Sequence, residues 1–314
     1  MLRLVGARLV QAAVTVVLLS FAAYALIGLM PGDPIDLAIA SDPRLSAADA
    51  ERLRALHGLD RPLLERYLAW AVSALAGEFG FSRLFAAPAQ EVLAAALVNS
   101  LALLLPTTLA SAAIGIALGI LAARRPRGAV DAIINAVAFA GIAMPSFWLA
   151  ILLIILFAVV LGWLPAGGPP PEPTLSAWLR HLALPSLTLT TLGLAAYARQ
   201  TRAAMIEALG EPWIRTARAK GAPPSRVLLR HALPNAAIPI VTVAALDFAT
   251  LVSGALVVET VFAWPGMGKL LYDAILGNDY NVALLALLLA ALVTLAASLA
   301  ADLIQLALDP RLRR

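Results

Sequence analysis

Asp247, Glu259 and Asp302 interrupt apolar runs long enough to cross a bilayer. A charge near the bilayer centre costs at least about 2.5–3.5 kcal/mol on insertion scales, so each must face protein or water. Asp247, Thr250 and Gly254 share one helical face, and with Glu259 they are candidates for a polar strip along a translocation path. A protonated or paired carboxylate bridging two helices is an equal alternative for Asp247. Asp302, nearer the other end of its run, suits a packing or interface role.

The second group with chemical content is the basic run Trp213 to Pro234, WIRTARAKGAPPSRVLLRHALP, set between membrane-length apolar segments. Trp213 and Ala217 are four apart, and Ile214, Ala217 and Arg218 lie on one face, which predicts a short amphipathic helix. Gly221 can take the left-handed conformation that ends it, and Pro223-Pro224 forbid its continuation. A helix of this kind along a membrane face offers side chains to a groove on a partner protein. A basic loop that only enforces topology and binds anionic lipid would carry the same residue types.

Several chemistries are excluded by what is missing. The chain has no cysteine, which removes disulfides, thiolate metal sites and thiol catalysis. His57, His181 and His231 are far apart in sequence and have no metal-ligand spacing, so no metal and no catalytic residue is expected. Gly266-Met267-Gly268-Lys269 resembles the end of a phosphate loop, but Ala263 stands where its first glycine belongs and Leu270 follows the lysine. A Pro-Gly turn explains that segment better. The net charge of +4 comes from basic residues at the ends of apolar segments, a membrane-topology pattern and not a nucleic-acid footprint.

The elements that position these residues are membrane helices. Of 314 residues, 61% are hydrophobic and 13% charged, about half the charge of a water-soluble domain. An all-α integral membrane protein with about six spans is expected: Leu9–Met30, Leu101–Ala123, Ile133–Val160, Leu182–Ala198, Ala236–Phe262 and Val282–Leu308. The first span is too long for the apolar core of a signal peptide and is expected to be retained. Pro145 predicts a kink or break in the third. Gly115 and Gly119 form a GxxxG in the second; it permits close helix approach, and a Gly/Ala-rich helix produces such spacing by chance about as readily.

Residues 31–98 carry more acids than bases and read as a small extracytoplasmic insertion, with a helix starting at a Ser46 cap and stopping at Gly58. The expected layout is therefore residues 1–30 as tail and first span, 31–98 as insertion, 99–308 as a five-span core containing the cytoplasmic loop 199–235, and 309–314 as tail. Arg3, Arg8, Arg124, Arg125, Arg127, the Arg199–Arg230 cluster, Arg311, Arg313 and Arg314 then share one side, which places both termini in the cytoplasm. Trp163, Trp178 and Trp264 fall towards the opposite interface.

The basic loop also resembles the coupling loop of ABC importer membrane subunits. Ala217 and Gly221 take the last alanine and glycine positions and Leu233-Pro234 close the pattern, while Arg215-Thr216 replace Glu-Ala and His231 replaces Ile. RTARAKG is similar to the form found in the dipeptide/oligopeptide/nickel permease family. PGDP at Pro31 to Pro34, GLDRP at Gly58 to Pro62, GEFGFS at Gly77 to Ser82, PSFWL at Pro145 to Leu149, Glu259-x-x-Phe262-x-x-Pro265-Gly266-x-Gly268, and LDPR at Leu308 to Arg311 follow in that family's order. Pro223 stands where the family commonly has serine, with Ser225 displaced.

The resemblance implies a permease subunit in a bacterial or archaeal-type inner membrane. Trp213, Ile214, Arg215, Thr216, Ala217, Arg218, Ala219, Lys220 and Gly221 would form its ATPase-coupling helix. It also implies a second homologous permease subunit, two cytoplasmic ATP-binding subunits carrying ATP and Mg, an extracytoplasmic substrate-binding protein and surrounding lipid, with no cofactor on this chain. Dipeptides or oligopeptides are the expected cargo, with nickel or a metal chelate as the alternative. An ion-coupled secondary transporter would more often show paired internal repeats and helices broken at corresponding positions, a pattern not found here. An intramembrane enzyme lacks a Ser/His pairing.

Overall fold

A computed structural model describes residues 2–28, 52, 61–172, 174–237, 239–241, 243–244 and 255–308. Its helices are α1 (Leu2–Gly28), α2 (Leu63–Leu75), α3 (Ala89–Arg124), α4 (Ala129–Ala143) and α5 (Ser146–Leu153), the last running on as π-helix to Val160. Then come α6 (Leu175–Gly210), α7 (Pro212–Ala219), α8 (Pro224–Arg226) with a π-helical extension over Val227–Ala232, α9 (Leu256–Val261), α10 (Met267–Leu276) and α11 (Tyr280–Leu308). Two short strands, β1 (Phe81–Ser82) and β2 (Ala87–Pro88), pair antiparallel.

Among the described residues three helices are long and apolar enough to cross a membrane alone: Gly6–Gly28, Ala89–Arg124 and Tyr280–Ile304. A fourth crossing is available to α4 and α5 together, which are bent by 100° at Met144-Pro145. The break expected at Pro145 is therefore a sharp corner: Met144 and Pro145 are both extended, and the proline restricts its predecessor to that region. The fourth expected span lies inside α6, which is longer than a bilayer requires. The middle of the fifth, with Asp247, Thr250 and Gly254, lies outside the described residues, as do the Ser46 helix and the PGDP segment.

The chain divides into two compact units, one of residues 1–98 and 269–292, the other of residues 99–268 and 293–314. In the first, α1 packs on α2 through Tyr67, whose hydroxyl lies 2.8 Å from Ser20 Oγ and whose ring meets Phe21 edge-on with centroids 5.2 Å apart. The β1–β2 hairpin is fixed on the α10–α11 turn. Asp279 accepts from Ser82 Oγ at 2.6 Å and from the Leu84 amide at 3.1 Å, and Arg83 donates to the Gly277 carbonyl at 2.7 Å. Gly80 of GEFGFS has φ +83, and a Cβ there would strike the Asn281 amide at 2.7 Å.

The core of the second unit is α6. Its Thr188 and Thr191 hydroxyls donate to carbonyls four residues back, near the internal Pro185. Thr107 and Thr108 do the same in α3 beside Pro106. Each proline frees the carbonyl four residues before it, and these hydroxyls bond other carbonyls, so they satisfy their own hydrogen-bonding needs within an apolar helix. The Gly115/Gly119 pair is a real crossing with α6. A Cβ at Gly115 would lie 2.6 Å from the Leu194 carbonyl oxygen, and one at Gly119 would lie 2.5 Å from Thr201 Cβ. Meanwhile the outward sides of several helices stay apolar and exposed, with Val10, Leu18, Ile133 and Phe139 each more than 60% accessible, a surface that suits lipid or another membrane subunit.

Candidate functional site

The predicted amphipathic helix forms as α7. Glu211 is extended, and Pro212 starts the helix at the position where its fixed φ and missing N–H do no harm. Ile214 is fully buried and Ala217 half-buried, while Trp213, Arg215, Thr216, Arg218, Ala219 and Lys220 are exposed. Ile214 enters an apolar cluster with Met205 and Ala208 of α6 and Val227 and Ala232 of the returning segment. The helix is thus anchored by one side chain to the end of a core helix. Arg218 faces outward and does not share the Ile214 face.

Gly221 ends α7 at φ +76. Its amide donates to the Arg218 carbonyl at 3.0 Å, and the Ala222 amide donates to Ala217 at 3.2 Å. This is the double hydrogen bond of a left-handed helix terminator. Pro223 then occupies the cap position of α8 without a side-chain hydrogen bond, and Ser225 is exposed, so the displaced serine does not cap. Arg215, Arg218, Lys220, Arg226 and Arg230 make the outward side of the loop strongly cationic.

A feature not singled out in the sequence lies on the helix that carries α7. Asp131 of α4 is almost fully buried and accepts from Arg202 Nη2 of α6 at 2.7 Å, from the Arg127 amide at 2.7 Å and from Asn135 Nδ2 at 2.6 Å. Arg202 sits two turns before the end of α6, so the pair ties the helix that carries α7 to the start of α4. Substituting Asp131 with alanine strands a guanidinium whose side chain is 28% exposed. The expected loss is about 2–3 kcal/mol, below the range for a fully buried pair. Thermal unfolding in detergent should show a lower midpoint, with Asp131→Asn losing less.

At the other end of this unit Glu259 is fully buried in a polar knot. Ser100 Oγ donates to its carboxylate at 2.6 Å and accepts from the Met267 amide at 2.8 Å. Asn99 donates to the Pro265 carbonyl at 3.0 Å, and Trp264 Nε1 donates to the Asn99 carbonyl at 3.0 Å. Gly266 is small because the Glu259 carboxylate fills the place of a side chain, and Gly268 because Leu256 lies against it. Close packing, not phosphate, explains those glycines. Trp178 meets Trp264 edge-on at 5.2 Å, and Arg180, two residues after Trp178, donates to the Trp163 carbonyl at 3.0 Å. Among the described residues no three His, Asp or Glu side chains converge to hold a metal ion.

Comparison with known proteins agrees with this arrangement. Residues 115–314 match the family described as binding-protein-dependent transport system inner membrane component, and residues 1–109 match the N-terminal membrane component of such systems. The oligopeptide transport system permease protein AppB of Bacillus subtilis is 37% identical over 90% of each chain. The di/tripeptide transport system permease protein DppB of Pseudomonas aeruginosa is 37% identical over 92% of each, and the glutathione transport system permease protein GsiC of Escherichia coli K12 is 36% identical over 100% of this chain and 99% of its own. Inward-facing structures of the MetNI methionine ABC transporter share the fold, with TM-scores of 0.58 and 0.60 over 71% of this chain and 98% of theirs, at 23% and 22% identity. The chain belongs to the inner-membrane components of binding-protein-dependent transport systems, the permease subunits of ABC importers.

Proposed function

We propose that this chain forms half of a peptide-import pathway, is itself non-catalytic, and passes the work of partner ATPases to the pathway through α7. The observation that carries this is a short exposed cationic helix, pinned by Ile214 to the end of α6 and closed by Gly221. Displacement of α7 is felt by α6 directly and by α4 through Arg202 and Asp131. Dipeptides or oligopeptides are the cargo, supported by the names of the relatives at 36–37% identity.

The complex comprises a second homologous permease subunit, two cytoplasmic ATP-binding subunits that hold ATP and Mg, and an extracytoplasmic binding protein that delivers cargo. Six spans cross the membrane with both termini inside, and residues 31–98 lie outside. Asp247, Thr250 and Gly254 line the path on the fifth span, and Glu259 holds the outer turn that borders it. The cysteine-free chain makes orientation directly testable. A cysteine at Glu78, which is exposed, should react with an impermeant thiol reagent in intact cells, while one at exposed Ser225 should react only after the membrane is opened. Labelling in the reverse sense would overturn the orientation and the docking assignment with it.

A further inference from the structure

Between the end of α3 and α7 lies an open cleft of about 580 Å³ that the coupling role does not account for. Arg124 and Arg125 contribute from α3 and Arg218 from α7, and Leu121, Val130 and Leu228 supply apolar wall. Among the described residues no carboxylate lines the cleft, and none of the three guanidiniums has an ion-pair partner. Asp131, next to Val130, is occupied by Arg202 and does not offset the charge.

The vertical order of these groups decides the occupant. Leu121 precedes Arg124 and Arg125 by three and four residues, so it lies one turn back along the same side of a membrane-length helix. The site therefore presents exposed apolar surface on the bilayer side and guanidiniums one turn beyond it. An acidic protein loop would use the cations and leave the apolar wall uncovered. An anionic phospholipid satisfies both, with its phosphodiester on the arginines and an acyl chain along Leu121 and Val130.

We propose that the cleft binds an anionic phospholipid whose headgroup bridges α3 and the coupling helix. The proposal rests on the membrane orientation given above but not on the cargo or on ATPase docking. Bound in this way, the lipid steadies α7 against α3 and makes coupled transport depend on anionic lipid.

The test uses the assembled transporter in vesicles of phosphatidylcholine with or without phosphatidylglycerol, and counts phosphatidylglycerol retained per complex by mass spectrometry after detergent exchange. Wild type should retain it at least about tenfold better than the Arg124→Gln/Arg125→Gln double variant, with the Lys/Lys variant between them. Millimolar inorganic phosphate should not displace it. Equal retention by wild type and a folded double variant would overturn the proposal. So would loss of ATPase co-purification with retention unchanged, which would assign the cleft to acidic side chains of the ATPase, or displacement by inorganic phosphate, which would make it a free-anion site. A folded Lys/Lys variant that retains as much phosphatidylglycerol as wild type would overturn the guanidinium-specific part of the proposal. Failure of the coupling assignment is read separately, as ATP-independent uptake with lipid retention intact.

Discussion

Replacing Gly221 with valine should uncouple ATP hydrolysis from peptide uptake, whereas replacing it with asparagine should not. Nothing lies within 4 Å of a Cβ built at this position, so the effect cannot be a clash. It arises in the backbone, because φ is +76 and a β-branched L-residue is strained there by about 1–2 kcal/mol or more. Relief of that strain requires breaking the Gly221–Arg218 and Ala222–Ala217 hydrogen bonds that close α7. Strain of this size shifts the closed terminator about tenfold towards the open form. Asparagine tolerates the left-handed region and should keep most of the coupling. Uptake per ATP hydrolysed, compared across the two variants at equal assembly, separates a specific terminator from a loop that only has to be flexible. Equal coupling in both would remove Gly221 from the mechanism.

The largest stability effect is expected at Gly266. A Cβ at this residue would lie 2.1 Å from Glu259 Oε1, and because that buried oxygen accepts from Ser100 Oγ, moving it aside breaks the bond away from solvent. Gly266→Ala should therefore push Glu259 away from Ser100 and loosen the Met267 amide that Ser100 holds. Overpacking and a stranded buried acceptor together cost about 2–5 kcal/mol. The variant should show a much lower midpoint of thermal unfolding in detergent and a reduced yield. Shortening Glu259 to alanine in the same chain reopens the space, so the double variant should lose less than the sum of the two single changes. Glu259→Gln keeps an acceptor for Ser100 and should be mild. Additive losses in the double variant would mean that Gly266 and Glu259 do not share this volume.

Most of α7 was legible in the sequence because its signals are local. The amphipathic spacing of Ile214 and Ala217, the glycine at the end and the two prolines beyond it each act within one turn. The break at Pro145 was legible for the same reason, although residue types do not give its angle. What stayed hidden depends on partners far away in sequence. Asp131 looks like an acid at the start of an apolar run, and nothing near it announces Arg202, 71 positions on. Gly115 and Gly119 had an ordinary composition-based explanation until α6 was found against them. Glu259 was recognised as costly to bury, but its solution, a hydroxyl from α3 and a glycine seven residues later, exists only in the fold. The start of α3 at Ala89, ahead of the expected span at Leu101, reflects an amphipathic extension that apolar run length does not register.

The coupling claim is tested most directly by uptake into proteoliposomes holding this chain with its homologous permease subunit and the two ATPases, with binding protein and a labelled dipeptide outside. Accumulation should require ATP inside, the ATPases and the binding protein, and it should persist when ion gradients are collapsed. It should fall in the Gly221→Val complex, but not in Gly221→Asn, while both complexes stay assembled. Accumulation by this chain without ATP or ATPases, driven by an ion gradient, would contradict the account.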